Sequence, residues 1–133
     1  MSSKGRPYRR IAFEGFSILI GKGDIENDRL TFEVAEPADI WLHVAGGTAG
    51  SHVVIRNPES LPTIPRPIIE RAAELAAWYS KARDAGRKVE VHVCRAADVS
   101  KPRGLAPGKV LLARWERVRV YPRGIESVGD GVE

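Results

Sequence analysis

Between Asp39 and Arg56 the chain reads DIWLHV, then AGGTAG, then SHVVIR. In the first run Ile40, Leu42 and Val44 alternate with Trp41 and His43. That period of two predicts a strand buried on both faces. The loop Ala45–Gly50 holds three glycines, and His52–Arg56 reads as the following strand. Two strands joined by so short a connection commit the chain to a sheet. The rest of the sequence must supply its other members and its cover.

The flanking segments supply both. Residues 1–8 read as a flexible basic tail. Arg9–Phe13 and Ser17–Ile20, parted by Glu14-Gly15-Phe16, predict a β-hairpin. Gly21-Lys22-Gly23 breaks it. From Ile25 to Ala35 a short helix is expected with Asp24 as its cap, although Thr31–Val34 also suits a strand. Pro58, Pro62 and Pro65 mark a loop. Pro67 then opens a long helix, in which Ile68, Ile69, Ala72, Leu75, Ala76 and Tyr79 recur at helical spacing. It is expected to run through Ala85, stop at Gly86 and carry Arg83 near its C-terminus. Val89, Val91 and Val93 predict a strand, and residues 98–109 a Pro/Gly-rich loop. Val110–Trp115 and Val118–Tyr121 read as a closing hairpin turned near Glu116-Arg117. The element order is ββαββαβββ, an α+β fold with a mostly antiparallel sheet, one long helix and one short helix. At 133 residues one domain is expected, spanning 9–123, with 124–133 as a loose acidic tail.

Charge is distributed unevenly. The net charge is +4, yet residues 1–86 balance to zero. Residues 87–123 carry ten Lys/Arg against Glu90, Asp98 and Glu116. A basic excess confined to one stretch is the footprint of a polyanion binder; the plainer reading is a solvated face. The single cysteine, Cys94, rules out an internal disulfide and a Cys-based zinc site. No apolar run approaches membrane-span length, and no signal peptide is legible. A reducing, cytoplasmic setting without membrane contact is expected.

Few residues suggest bond-making chemistry. The glycine loop is neither a Walker A motif nor a Rossmann fingerprint. Its amides suit an anion, and its glycines equally suit a tight turn. His43 and His52 flank it, and with Asp39 they are the candidates for a metal or acid–base site. Hydrogen-bonded structural histidines are the favoured alternative. Ser51 and His52 are no nucleophile pair, because neighbouring strand residues point to opposite faces. His92 is expected to be half exposed. In the basic loop Lys101, Arg103 and Lys109 sit among Pro102, Gly104, Pro107 and Gly108, a stiffened frame that suits phosphate contacts. Trp115 and Tyr121 lie among Arg114, Arg117, Arg119 and Arg123 as candidate stacking surfaces, whereas Trp41 and Trp78 are expected in the core.

Three ordered segments resemble one family. Gly21-Lys22 with Glu26-Asn27-Asp28-Arg29-Leu30-Thr31 resembles its "GK…NDxLT" opening. Asp39–His43 with Gly50–Ile55 resembles its "DxWLH…GSHVVI" centre. Tyr79-Ser80-Lys81-Ala82 with Lys101–Gly104 and Pro107-Gly108 resembles its "YSKA…KPKGxxPG" close. The family is the NFACT-R domain of ribosome-associated quality-control proteins, and the resemblance runs over roughly residues 11–122. It implies RNA binding to tRNA or ribosomal RNA, including on the large ribosomal subunit. In the full-length proteins further domains and a coiled coil lie upstream. Here a stand-alone domain acting as an adaptor on structured RNA is expected. The nucleic-acid-binding residues are then expected among Lys22, Asp39, Trp41, His43, Gly50, Ser51, His52, Arg56, Lys101, Arg103, Gly104 and Lys109. No catalytic residue, metal or cofactor is expected. Two other functions compete with this reading. One is a metal-dependent nucleic-acid enzyme using Asp39, His43 and His52. The other is an adaptor docking an acidic protein partner.

Overall fold

The alternation at 39–44 is answered by two apolar layers, one on each face of a sheet. The computed structural model describes residues 5–125 and 130–132. In chain order the strands and helices begin with β1 (Tyr8–Phe13) and β2 (Phe16–Gly21). Their two-residue turn, Glu14-Gly15, has φ of 52° and 83°, the left-handed pair that suits the strand twist. Next come α1 (Asp24–Arg29) and a π-helical turn at Leu30–Val34, closed by the Ala35 amide on the Leu30 carbonyl at 2.9 Å. Then follow β3 (Ile40–Val44), β4 (Val53–Ile55), α2 (Arg66–Trp78) and β5 (Val89–Arg95). The chain continues with β6 (Val99–Ser100), β7 (Leu111–Leu112), β8 (Glu116–Val120) and β9 (Gly131–Val132). Seven strands form one sheet in the order β8-β5-β3-β4-β2-β1-β9, and β6 with β7 forms a separate ribbon. Every pairing is antiparallel. The fold is α+β with a mostly antiparallel sheet. Among the described residues no helix is long and apolar enough to cross a membrane.

Strand periodicity sorts the two cores. Ile40, Leu42 and Val44 pack with Val53, Ile55 and Val91 against Ile68, Ala72, Leu75 and Ala76 of α2. Trp41 takes the other face with Leu19, Val54 and Cys94, under Leu30 and Val99. The expected division of β3 between its two faces is therefore the observed one.

Four elements depart from the expectation. First, α2 ends at Trp78 rather than Ala85. The backbone beyond it is captured by the glycine loop: Ser51 donates to the Tyr79 carbonyl and Lys81 to the Ala49 carbonyl, each at 2.9 Å. Arg83 still serves the helix end, donating through Nε to the Trp78 carbonyl at 2.7 Å and covering the indole at 4.5 Å. Trp78 is thus half-buried rather than core. Second, the closing hairpin does not form. Leu111–Leu112 pairs with Val99–Ser100, while Glu116–Val120 pairs with β5. The Val91–Val118 and Val89–Val120 partnerships join the main apolar core, which a local hairpin would leave incomplete. Third, Tyr8 belongs to β1 and not to a tail; residues 1–4 lie outside the described residues.

The fourth departure is at the other terminus. Asp130 is buried, and Gly131–Val132 pairs with Ile11 and Ala12 of β1. Residues 126–129 and 133 lie outside the described residues. The buried Arg71 makes this anchorage. Its Nε and Nη2 donate to the two Asp130 carboxylate oxygens. Its Nη1 donates to Glu74 Oε1 and to the Arg123 carbonyl, both at 3.1 Å, and its Nη2 also reaches the Gly124 carbonyl. All five guanidinium N–H groups are used.

Candidate nucleic-acid interface

The glycine loop and the basic loop, more than fifty residues apart in the chain, close on one cleft of about 440 Å³. Gly46–Gly50 form one wall and Pro107–Leu112 the other. Trp41, His43 and His52 lie at its base, with His92 and Trp115 at the side. Gly46 and Gly47 have φ of 75° and 74° and lie in open space, so the turn requires them. Among the described residues neither of their amides donates to another group of the chain.

Gly50 is required for a different reason. A Cβ there would lie 2.7 Å from the Ser80 Cβ and 3.1 Å from its Cα. The two backbones pair at this point as an isolated bridge. Gly50→Ala is expected to cost about 1–3 kcal/mol by overpacking, measured by urea unfolding. Wild-type stability in that variant would show that the close approach is not needed.

Most of the central motif holds this architecture in place. Trp41 Nε1 donates to Thr31 Oγ1 at 3.2 Å. Thr31 Oγ1 lies 2.8 Å from His52 Nδ1, and His52 Nε2 lies 3.2 Å from the Gly108 carbonyl. A carbonyl only accepts, so Nε2 carries the imidazole proton and Nδ1 accepts from the threonine hydroxyl. The chain of donors thus runs from β3 through the π-turn to β4 and ends on the basic loop. Burial pushes the His52 pKa down to about 4, with nearby His43 adding to the effect, so the ring is neutral. The Asn27 side chain pins the start of β4, donating to the Gly50 carbonyl at 3.3 Å and accepting from the His52 amide at 3.1 Å. Ser51 gives its hydroxyl to the Gly21 carbonyl at 2.7 Å.

Asp39 and Arg56 stand at the other end of β3 and β4. Asp39 is buried; it accepts from the Glu36 and Asn57 amides at 2.9 and 2.7 Å. Arg56 Nε lies 3.0 Å from its Oδ2, an ion pair rather than an aligned hydrogen bond. Arg56 also reaches the Val34 carbonyl at 3.4 Å. The alternative metal set therefore does not assemble: Asp39 is turned to these partners and both His52 nitrogens are engaged. Among the described residues no three His, Cys, Asp or Glu side chains converge as metal ligands. Burial pushes the Cys94 thiol up to about 12, which leaves it a poor nucleophile.

The basic loop divides in the same way. Lys101 Nζ donates to the Ala106 and Lys109 carbonyls at 2.7 Å each and pairs with Asp28 Oδ2 at 3.1 Å. Its three N–H donors are thereby matched, so Lys101 braces the loop from within. Asp28 Oδ2 also accepts from the Gly108 amide at 3.2 Å. Arg103 and Gly104 are exposed at the loop tip, where Gly104 has φ 94°. Lys109 is exposed on the cleft wall, and its ammonium makes no ion pair among the described residues. Lys22 is exposed on the β2–α1 connection, its backbone bonded to Pro7, and does not line the cleft.

His43 is the member of the central histidine pair left half-buried at the cleft base. Burial lowers its pKa, against weaker support for the charged form from the Gly50 and Val44 backbone, and Lys109 and His92 lower it further. It therefore presents a neutral ring, stacked at 6.0 Å on Trp41. Sequence reasoning did not single out Thr31, Asp28 or Asn27 as site residues, although all three lie within the "NDxLT" segment. Their chemistry becomes visible only once the π-turn sits over β4.

Sheet, glycine turn and cationic loop together define an α+β module with a ring-lined, cation-edged recess of the kind nucleic-acid-binding domains present. The chain belongs to the NFACT protein RNA binding domain family, which it matches over residues 7–114. It is 39% identical over 119 residues to an Rqc2 homolog RqcH of Streptococcus suis (strain 05ZYH33), covering 88% of this chain and 20% of that protein. It is 41% identical over 108 residues to the Bacillus subtilis (strain 168) Rqc2 homolog RqcH, covering 81% of this chain and 18% of that one. The chain thus spans about a fifth of the length of these relatives. It is also similar to the solved C-terminal part of the fibronectin/fibrinogen-binding protein of Streptococcus suis. The TM-score is 0.80 at 36% identity, over 92% of this chain and 47% of that structure.

Proposed function

We propose that this chain is a cytoplasmic RNA-binding module of ribosome quality control that engages tRNA or ribosomal RNA and carries out no bond chemistry itself. The observation that carries the reading is the convergence of the glycine loop and the basic loop on one cleft. The match to an RNA binding domain family and to Rqc2 homologs supports it. Arg103 and Lys109 supply the cations for phosphate, and the Gly46-Gly47 turn lets a nucleic-acid backbone approach closely. The buried network of Thr31, Trp41 and His52 holds the two walls at their spacing.

The test is a titration of wild type and an Arg103→Ala/Lys109→Ala variant against a tRNA transcript over a salt series. The double variant is expected to bind more weakly at moderate salt and to flatten the log–log salt slope by up to about two units, one per lost phosphate contact. Unchanged affinity and slope in a folded double variant would overturn the assignment of these cations. Retained binding to a protein partner with indifference to RNA would favour the adaptor role instead.

A further inference from the structure

One exposed side chain is out of place on a merely solvated surface. Trp115 is 46% exposed, just before the edge strand β8. Its ring lies 5.4 Å from that of His92, tilted by 36°, so the indole is braced on one side. It lines the cleft described above and also a second groove on the side of the proline loop, and so stands on the ridge between them. From there a row of polar side chains crosses three strands in register, Arg117 beside His92 and His92 beside His43. Arg117 alternates with the buried Val118, so this row lies on the face turned away from α2. The row ends at the cleft base, where the His43 ring stacks on Trp41.

We infer that the cleft takes unpaired RNA, holding one unstacked base against Trp115 and His92 while the flanking phosphates pass Lys109 and Arg117. The inference rests on the RNA-binding reading above and narrows it to a class of RNA. A base inside a duplex is stacked on both sides and cannot enter a recess walled by two loops. A splayed base brings a free π-face, which a braced indole can cover whatever the base identity. Arg117 is free to turn toward a phosphate: it is 71% exposed and its pairing with Glu90 is loose, at 3.8 Å. Asp24 lines the cleft on the α1 side and disfavours phosphate there, which directs the strand toward Lys109 and Arg117.

The experiment compares a short unstructured RNA oligonucleotide with a blunt RNA duplex of the same length at one salt concentration. Wild type, Trp115→Ala and Trp115→Phe are titrated, with urea unfolding as the check of folding. Wild type is expected to prefer the oligonucleotide. Trp115→Ala is expected to lose about tenfold in affinity for it, the contribution of one stacked base, with an unchanged salt slope. Trp115→Phe should recover most of that loss, and duplex binding should be the same in all three proteins. If wild type binds both RNAs alike and Trp115→Ala is silent, the RNA-binding reading stands and this inference falls. If wild type binds neither RNA, both fall.

Discussion

Arg71→Ala is expected to destabilise the protein by about 3–5 kcal/mol, the range for breaking a buried ion pair from one side. The substitution removes five hydrogen bonds and leaves the Asp130 carboxylate buried opposite an apolar methyl. It also releases the Arg123 and Gly124 carbonyls. Urea unfolding measures the loss. A paired Arg71→Met/Asp130→Ala variant should lose less than Arg71→Ala, because the buried carboxylate is then removed together with its guanidinium partner. An Arg71→Ala protein within about 0.5 kcal/mol of wild type, as for an ordinary surface substitution, would show that the C-terminal strand is not held by this arginine.

The second large effect is an acid sensitivity centred on His52. Its folded pKa is about 4, against 6.5 for the unreacted side chain. Between those values the unfolded chain binds the proton and the folded chain does not, so falling pH favours unfolding. The stability from the neutral ring is complete above about pH 6.5 and is lost as pH falls toward 4, for a total of about 3 kcal/mol. His43, also lowered by burial, acts in the same sense. Unfolding measured from pH 7.5 down to 4.5 should show a shallower decline in His52→Gln than in wild type, since the amide does not titrate. Groups remote from the network titrate alike in both proteins, so the difference reports the His52 ring together with its coupling to His43 and Asp28. Parallel profiles would mean that the ring is not held neutral. The network also predicts where acid acts first: protonating Nδ1 breaks the acceptor role toward Thr31, while the Nε2 donor bond to the Gly108 carbonyl is kept.

The central motif shows how a sequence pattern can mark a site without stating the role of each residue. Asp39, Trp41, Gly50, Ser51 and His52 share one segment, and on the page of the sequence each is an equal candidate for contact with RNA. In the fold, Asp39 and Arg56 turn to one end of the strands, while His43 alone of the two central histidines is left half-buried at the cleft. Lys101 was indistinguishable from Arg103 and Lys109 in the sequence. It differs because Asp28 and two carbonyls surround its ammonium.

Local chemistry determined much of the protein directly. Period-two alternation sorted β3 between its two cores, the Glu14-Gly15 pair set the first hairpin, and Pro67 with the apolar spacing after it started α2. Those features depend on neighbours within a few residues, which is why they are legible in one dimension. Only the tertiary structure decided where α2 ends, which strand β8 joins, that Asp130 is buried, and that the two loops share a cleft. Each of those outcomes depends on backbone or charged groups finding partners far away in the chain. Buried polar groups must be matched wherever the match lies, and residue periodicity carries no record of that distance.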